Sequence, residues 1–461
     1  MVELAGKSVL VVGLGKSGVA AARLLASRGA RVTGNDLRAE DELDPEVHAL
    51  RQSGVELVLG AHDPELFARV DAIVVSPGVP NLPALAVAER AGVRIASEIE
   101  LASWFVRGTT IGITGTNGKS TVTTLLGQMC ARSGRPTFVG GNLGTPLVDV
   151  VGTPAAEPGG YIVVELSSFQ LERVDQLHLH GAALLNVTED HLDRYPSFAA
   201  YADAKAAVFH NQTERDFAVV PGGDEFCAQL AARGQARIHR YAGDDGEVRI
   251  EAGALIDRDS GLQVPVSEIR LFGRHNLENA CASALLARLA GVEPGAIAAT
   301  LRAFTGLPHR MCHVRTLDDV DYYDDSKATN VGATAAALDG LSDRPGRVVL
   351  IAGGKDKGGD YGPLVERMRR IGRSTVLIGE AADVIERALS AAGLRCDRAT
   401  SLEHAVELAQ QYARPGDVVL LAPACASFDM FRSYSHRGEV FAAAVKELEA
   451  RTGMHLIPGG A

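Results

Sequence analysis

Lys119 and Ser120 close the run Thr114-Gly115-Thr116-Asn117-Gly118-Lys119-Ser120-Thr121, and their types and spacing speak most directly of chemistry. Two glycines let a backbone curl so that its N–H groups face phosphate oxygens. An ammonium then neutralises the outer phosphates and a hydroxyl meets Mg2+. Gly115, Thr116, Asn117, Gly118, Lys119, Ser120 and Thr121 are therefore expected to bind a nucleotide such as ATP. A standard loop of this type carries glycine where this chain has Ile113. Tyr161-Ile162-Val163-Val164-Glu165 is an apolar run that ends on a carboxylate, the placement of a metal-holding acid. A second apolar run, Ala182 to Val187, delivers Thr188-Glu189-Asp190-His191-Leu192-Asp193. Acids beside a histidine there point to a metal or phosphate site, and they also suit a solvated turn or a helix N-terminus. Lys205 taken alone reads as a surface lysine.

Other candidates lie at the ends of further apolar runs. Ser8 to Val12 is followed by Gly13-Leu14-Gly15-Lys16-Ser17-Gly18, an Ala/Leu-rich stretch and Asp36, the pattern of a dinucleotide fingerprint. The same glycines also serve close packing of a strand on a helix. Ala72 to Val75 leads into Ser76-Pro77-Gly78. Near the C-terminus, Gly353-Gly354-Lys355-Asp356-Lys357-Gly358 and Cys425-Ala426-Ser427-Phe428-Asp429 follow apolar runs in the same way. Two lysines at a strand end in an acidic protein form a candidate anion site, or a solvated turn.

These positions require strands that stop at a common edge, with helices between them. Thr109 to Thr114 reads as a strand, and Val122, Leu125, Leu126 and Met129 recur at helical spacing. The alternation continues through Val348 to Ala352, Thr375 to Ile378 and Val418 to Leu421, which argues for a parallel right-handed βαβ sheet. The chain divides into three α/β blocks: 1–105, Rossmann-like; 106–306, a central phosphate-loop block of mixed α/β type; and 307–461, a Rossmann-like parallel sheet. Thr305 to Pro308 is the expected hinge before the last block, and Thr153 to Gly160 the longest expected surface loop. Short hinges invite closure around ligands.

Composition sets outer limits. The chain has 461 residues, 46% hydrophobic and 22% charged, ordinary for a globular protein with a large core. A net charge of −11 is a poor electrostatic match for nucleic acid. No apolar run reaches membrane-spanning length and no signal-peptide pattern opens the chain, so a cytoplasmic protein is expected. The six cysteines include no Cys-x-x-Cys pair and read as buried thiols.

Taken together, these segments resemble the Mur ligases of peptidoglycan precursor synthesis. Beyond the phosphate loop, the resemblance rests on Glu165-Leu166-Ser167-Ser168-Phe169-Gln170-Leu171, Asn186-Val187-Thr188-Glu189-Asp190-His191 and Gly273-Arg274-His275-Asn276. It rests also on Gly306-Leu307-Pro308-His309-Arg310, Asp325-Ser326-Lys327-Ala328-Thr329-Asn330 and Ala424-Cys425-Ala426-Ser427. It covers all three blocks in order, and two of the segments resemble the branch that adds D-glutamate. The resemblance implies an ATP-dependent ligase that forms an amide between UDP-N-acetylmuramoyl-L-alanine and D-glutamate through an acyl phosphate. It further implies a monomer.

Residue roles carry over only as implications of the resemblance. Lys119 meets the β- and γ-phosphates; Ser120 and Glu165 hold one Mg2+, and His191 holds a second. Lys205 is the counterpart of a carbamylated lysine that helps place that second metal. Asn276, Asn279, Arg310 and Asp325 contact the nucleotide, and Lys327 positions phosphate. Ser17, Asp36, Arg38, Ser76, Gly78 and Asn142 face the UDP-muramoyl substrate, with Lys16 and Leu37 on a variable loop. Thr329, Lys357 and Ser427 form the D-glutamate pocket. The first block is thereby expected to bind UDP substrate rather than NAD. Tyr434 stands where phenylalanine is expected, and Lys355 is an extra lysine. A folate polyglutamate ligase, a phosphate-loop regulatory NTPase and a Rossmann dehydrogenase with an added ATP domain are the competing readings.

Overall fold

The computed structural model describes residues 3–449 except Leu143, Leu192, Asp193, Phe272 and Asp343. Among the described residues the strands form three sheets, one in each sequence block. The first runs in the order Glu56–Leu59, Arg31–Asp36, Ser8–Val12, Ala72–Val75 and Arg94–Ser97, parallel throughout. Strand order reverses between Ser8–Val12 and Ala72–Val75, which leaves a crevice at their carboxyl ends. Two of the three glycines after Ser8–Val12, Gly13 and Gly18, serve close packing, whereas a Cβ on Gly15 would meet nothing within 4 Å. A Cβ on Gly18 would lie 1.9 Å from Gly13 O, and one on Gly13, at φ +85°, would lie 2.4 Å from Val79 Cγ2.

In the second sheet the strands Phe217–Pro221, Gly181–Leu184, Thr109–Thr114, Tyr161–Glu165 and Thr137–Gly141 lie side by side and parallel. Apart from Thr109, which is partly buried, the central three are buried along their length, as expected of a sheet covered on both faces. Arg237–Tyr241 continues the parallel part, and Val248–Glu251, Ala254–Asp257 and Leu262–Pro265 extend it as antiparallel hairpins. Thr153 to Gly160 is not wholly a surface loop. It contains the short helical turn Pro154–Ala156, with Ala155 and Ala156 buried, because the main chain of Arg107 and Gly108 bonds to Ala156 O.

The third sheet runs Cys312–Leu317, Val320–Asp324, Val418–Leu421, Val348–Gly353, Gly372–Ile378 and Cys396–Arg398. Its body is parallel, and one edge strand, Cys312–Leu317, pairs antiparallel with Val320–Asp324. Order reverses again between Val348–Gly353 and Val418–Leu421, so the loops after both strands share one edge. The chain clusters into two compact units: Met1–Val187 with Ala199–Ile269 and Glu278–Ala303, and Thr188–Phe198 with Arg270–Leu277 and Phe304–Ala461. The first and second sheets belong to the former, the third to the latter. Four cysteines are buried; Cys312 and Cys396 are only partly so, a departure from the expectation of buried thiols throughout. Among the described residues no helix is long and apolar enough to cross a membrane.

Candidate active site

The phosphate loop lies where its sequence requires, between the strand Thr109–Thr114 and the helix Lys119–Arg132. Gly118 sits at the helix N-cap with φ +86°, and a Cβ there would lie 2.5 Å from Asn279 Oδ1. A side chain at this position would be strained and would also displace Asn279. Asn186 clamps the loop from outside: its Oδ1 accepts Asn117 N–H at 2.8 Å, its Nδ2 donates to Asn117 O at 3.1 Å, and its own O accepts Thr116 N–H at 3.0 Å. This role of Asn186 is not legible in the sequence, because a hydrogen-bond partner 69 residues away carries no local signal.

Two lysines converge on one carbonyl of this loop. Lys119 Nζ donates to Gly115 O at 2.8 Å and Thr116 O at 2.7 Å, and Lys205 Nζ donates to the same Gly115 O at 2.8 Å. Lys205 is not a surface residue. It is 2% exposed on the helix Phe198–Ala206, with its ammonium 4.5 Å from the Tyr201 ring centroid. Glu165, at the carboxyl end of its strand, is also buried. Its Oε1 accepts Asn142 Nδ2 at 2.7 Å, while Oε2 has no hydrogen-bond partner among the described residues. A buried carboxylate oxygen without a donor is costly unless a cation meets it, so this group suits a divalent ion. Ser120 is buried one residue beyond Lys119.

Asn142 links Glu165 to a cavity of about 220 Å³ at the edges of the first two sheets. Lys16, Ser17, Ser76, Gly78, Asn142 and Gln170 line it. Four of the six expected substrate residues of this region are thus brought together. Asp36 and Arg38 are not among the lining residues; they pair with each other at 2.8 Å, and Asp36 Oδ2 also accepts Leu14 N–H at 2.7 Å. Gln170 carries no local sequence signal of a role. It is 1% exposed, its Oε1 accepts from Ser167, and its Nε2 has no acceptor among the described residues.

In the second unit, a cavity of about 460 Å³ is lined by Asp190, Asn330, Asp356, Lys357, Tyr361 and Arg367, among others. Lys357 Nζ lies 3.3 Å from Asp190 Oδ1, and Asn330 Nδ2 donates to Asp190 Oδ2 at 3.1 Å. Burial opposes ionisation of Asp190, but the Lys357 and His191 charges and these hydrogen bonds hold its carboxyl below the ordinary range. His191 adopts φ +54°, and its Nε2 is 3.7 Å from Asp190 Oδ2. Asp193, part of the same acidic segment, lies outside the described residues.

Asp325 is buried beyond the strand Val320–Asp324, and burial pushes its carboxyl up to about 7 against the pull of Arg310 and the Met311 N–H. Lys327 Nζ sits 3.7 Å from the Tyr434 ring centroid. Ser427 is buried after Val418–Leu421, and Thr329 is partly buried after Lys327; neither is among the residues lining the 460 Å³ cavity. Asn276 and Asn279 are buried on the helix Arg274–Leu289. Lys355 pairs its backbone with Ala426 and leaves its side chain in solvent, so the extra lysine is a surface charge. Among the described residues no three His, Cys, Asp or Glu side chains cluster as a metal cage. The expected metal set, Ser120, Glu165, His191 and Lys205, contains only one carboxylate and one histidine.

Comparison with known proteins spans nearly the whole chain. Residues 7–97 match the Mur ligase MurD-like N-terminal domain, 113–287 the Mur ligase middle domain and 309–425 the Mur ligase glutamate ligase domain. UDP-N-acetylmuramoylalanine--D-glutamate ligase of Trichlorobacter lovleyi is 46% identical over 97% of this chain and 100% of its own length. The protein of the same name in Geobacter metallireducens is 46% identical over 97% and 98%. Among solved structures, a pseudomurein peptide ligase type C from Methanothermus fervidus shares the fold with a TM-score of 0.60 at 18% identity, covering 96% of this chain and 100% of its own. MurF ligase from Thermotoga maritima in complex with ADP does so with a TM-score of 0.58 at 17% identity, covering 96% of each.

Proposed function

The chain belongs to the Mur ligase family, and from that premise we propose that it joins D-glutamate to UDP-N-acetylmuramoyl-L-alanine with conversion of ATP to ADP and phosphate. The observation that carries this reading is 46% identity to ligases of that name over nearly the whole of both chains. This is a cytoplasmic step of peptidoglycan precursor synthesis, since both ATP and the UDP-linked acid are cytoplasmic metabolites.

A carboxylate is a poor electrophile at neutral pH. Transfer of the terminal phosphoryl group to the alanyl carboxylate converts an oxide into a leaving group. The D-glutamate amine then attacks the acyl phosphate, and the tetrahedral adduct collapses to the amide and inorganic phosphate. The protein's share is alignment and charge neutralisation. Lys119 meets the outer phosphates after leaving the loop carbonyls that it now engages. Asn142 stations the muramoyl substrate beside Glu165. Asn276, Asn279, Arg310 and Asp325 hold the nucleotide, and Lys327 the moving phosphate. Thr329, Lys357 and Ser427 hold D-glutamate, with Lys357 exchanging Asp190 for the side-chain carboxylate of the amino acid. Ser17, Ser76 and Gly78 face the substrate from the first sheet.

Mg2+, typical of the family, supplies positive charge to the phosphate oxygens when bound. Ser120 and the unpartnered Oε2 of Glu165 would hold one ion. His191 and a carbamate on Lys205 would hold a second. Two buried-side ammonium groups on one carbonyl repel each other, and CO2 addition to Lys205 removes that repulsion by reversing its charge.

The test is phosphate release by the pure protein with ATP, Mg2+, the UDP-muramoyl substrate and candidate amino acids in turn. Release that needs both the muramoyl substrate and D-glutamate is the expected result. Release independent of either substrate would leave a plain NTPase, and release with a different amino acid would keep the family and move the specificity.

A further inference from the structure

The helix Tyr434–Glu447 buries an arginine that none of the roles above uses. Arg437 is 0% exposed. Its Nε donates to Ser326 Oγ at 3.0 Å; Nη2 donates to Ser326 O at 2.9 Å and Cys425 O at 3.1 Å; Nη1 donates to Ala426 O at 3.4 Å. None of these partners is a carboxylate. Taking a guanidinium out of water is costly, and an ion pair is the usual compensation. Here the fork is satisfied by the main chain and one hydroxyl of two loops. Burial lowers the group to about 10, so it remains a cation at neutral pH.

The two loops are the ones that follow adjacent parallel strands, Val320–Asp324 and Val418–Leu421. The first carries Lys327 and Thr329, the second Ser427. A third loop packs on the same fork: a Cβ on Gly354 would lie 3.2 Å from Arg437 Nη1 and 2.2 Å from Ala426 O. That loop leads to Lys357. Ser326 Oγ passes the connection on to Tyr434 O at 2.8 Å, at the start of the arginine's own helix. The next residue, Gly438, allows close approach, because a Cβ there would lie 2.1 Å from His309 Nδ1. Every hydrogen-bond partner of Arg437 therefore falls within two residues of a side chain assigned to phosphate or D-glutamate.

We propose that Arg437 is a positioning residue of the amino-acid pocket: its guanidinium fixes the spacing between the loop of Lys327 and Thr329 and the loop of Ser427, and through that spacing the affinity for D-glutamate. The proposal rests on the assignment of Thr329, Lys357 and Ser427 to that pocket. Lysine cannot substitute, because a single ammonium lacks the planar fork that reaches Ser326, Cys425 and Ala426 together.

The experiment compares Arg437→Lys, Arg437→Ala and Ser326→Ala in the full chain, with kcat, the three separate KM values and the melting temperature. Displacement of a binding group by a fraction of an ångström costs large factors, so Arg437→Lys is expected to raise KM for D-glutamate about tenfold or more while KM for ATP stays within about twofold. Guanidinium ion at low concentration should partly restore Arg437→Ala, and methylammonium should not. A wild-type KM for D-glutamate in Arg437→Lys, or a fall in melting temperature with all three KM values moving together, overturns the positioning role. If Arg437→Ala does not fold, Ser326→Ala removes the Nε acceptor together with the Ser326 Oγ bond to Tyr434 O while keeping the guanidinium, and an unchanged KM for D-glutamate there is equally fatal. Ser427→Ala and Thr329→Ala separate the two claims. A raised KM in these with a normal one in Arg437→Lys removes the arginine's role alone; normal values in both remove the pocket assignment beneath it.

Discussion

Lys205 and Tyr434 are the residues at which a small chemical change has the clearest expected consequence. Lys205 is buried against Gly115 O and the Tyr201 ring, a setting that holds a cation, whereas its proposed role needs an anion. Lys205→Ala should lose nearly all ligase activity, and short carboxylic acids such as formate or acetate should restore part of it by supplying the missing carboxylate. If activity with Mg2+ present does not respond to the acid, the carbamate role is wrong. Tyr434 stands where phenylalanine was expected, and its ring lies under Lys327 Nζ at 3.7 Å. Both rings present the same negative face to an ammonium, so Tyr434→Phe should leave kcat unchanged. Tyr434→Leu removes the face and about 0.5–1 kcal/mol of orientation, a fall of about two- to fivefold in kcat. Equal rates in the two variants would show that the ring does not seat Lys327.

At the scale of elements, Glu98 couples the helix Glu98–Ser103 to the turn Leu147–Val150 beyond the loop of Asn142. Its Oε1 accepts Val148 N–H at 2.7 Å and its Oε2 is buried without a hydrogen-bond partner among the described residues. Burial, with the Asp149 charge nearby, raises this carboxyl to about 7. A raised acid costs folding nothing while it is protonated in both states. As pH climbs above the ordinary carboxylate value, the unfolded chain ionises first, so stability falls until pH passes about 7 and then levels. Glu98→Gln should flatten the melting temperature between pH 5 and 8 and add up to about 3 kcal/mol at the upper end, an upper bound from the size of the displacement. Parallel profiles for the two proteins would exclude Glu98 as the source. The elements that carry chemistry were legible in the sequence because each is local: an apolar strand, a polar loop, then a helix, as at Thr109 to Arg132. The hairpins from Val248 to Pro265 and the antiparallel edge Cys312–Leu317 were not, since mixed polar edge strands lack a buried-strand pattern. Gln170, Asn186 and Arg437 were missed for a related reason. What Asn186 and Arg437 do is set by partners 69 and 111 residues away, and what Gln170 faces is set by loops of another sheet.

Across the whole molecule each sheet places some of its candidate residues at the carboxyl ends of parallel strands, beside a reversal of strand order, while Lys205, Asn276 and Asn279 come from helices. The first sheet repeats a dinucleotide-binding outline, and the fate of Asp36 distinguishes the two ligands that outline could take. In a dinucleotide site that acid accepts the ribose 2′-hydroxyl. Here Oδ1 accepts Arg38 N–H and Nε–H at 3.0 Å each, and Oδ2 accepts Leu14 N–H at 2.7 Å and Arg38 Nη2 at 2.8 Å. Burial opposes its ionisation, yet the bonds from Arg38 and Leu14 hold it down at about 2, so it stays an engaged carboxylate at all working pH. A ribose would have to break a charge-assisted pair to reach it. The cavity nearby instead offers Lys16, Ser17 and Ser76 to an anionic chain, in a protein whose net charge of −11 makes such local groups necessary. UDP-N-acetylmuramoyl-L-alanine should therefore raise the melting temperature of the chain by a few degrees at concentrations well above its Kd, where ligand linkage is worth about 3 kcal/mol. NAD at the same concentration should leave it unchanged. Asp36→Ala should weaken the UDP-substrate effect only indirectly, by loosening the Leu14 turn. A shift produced by NAD and abolished in Asp36→Ala would reassign the first sheet to a nicotinamide cofactor.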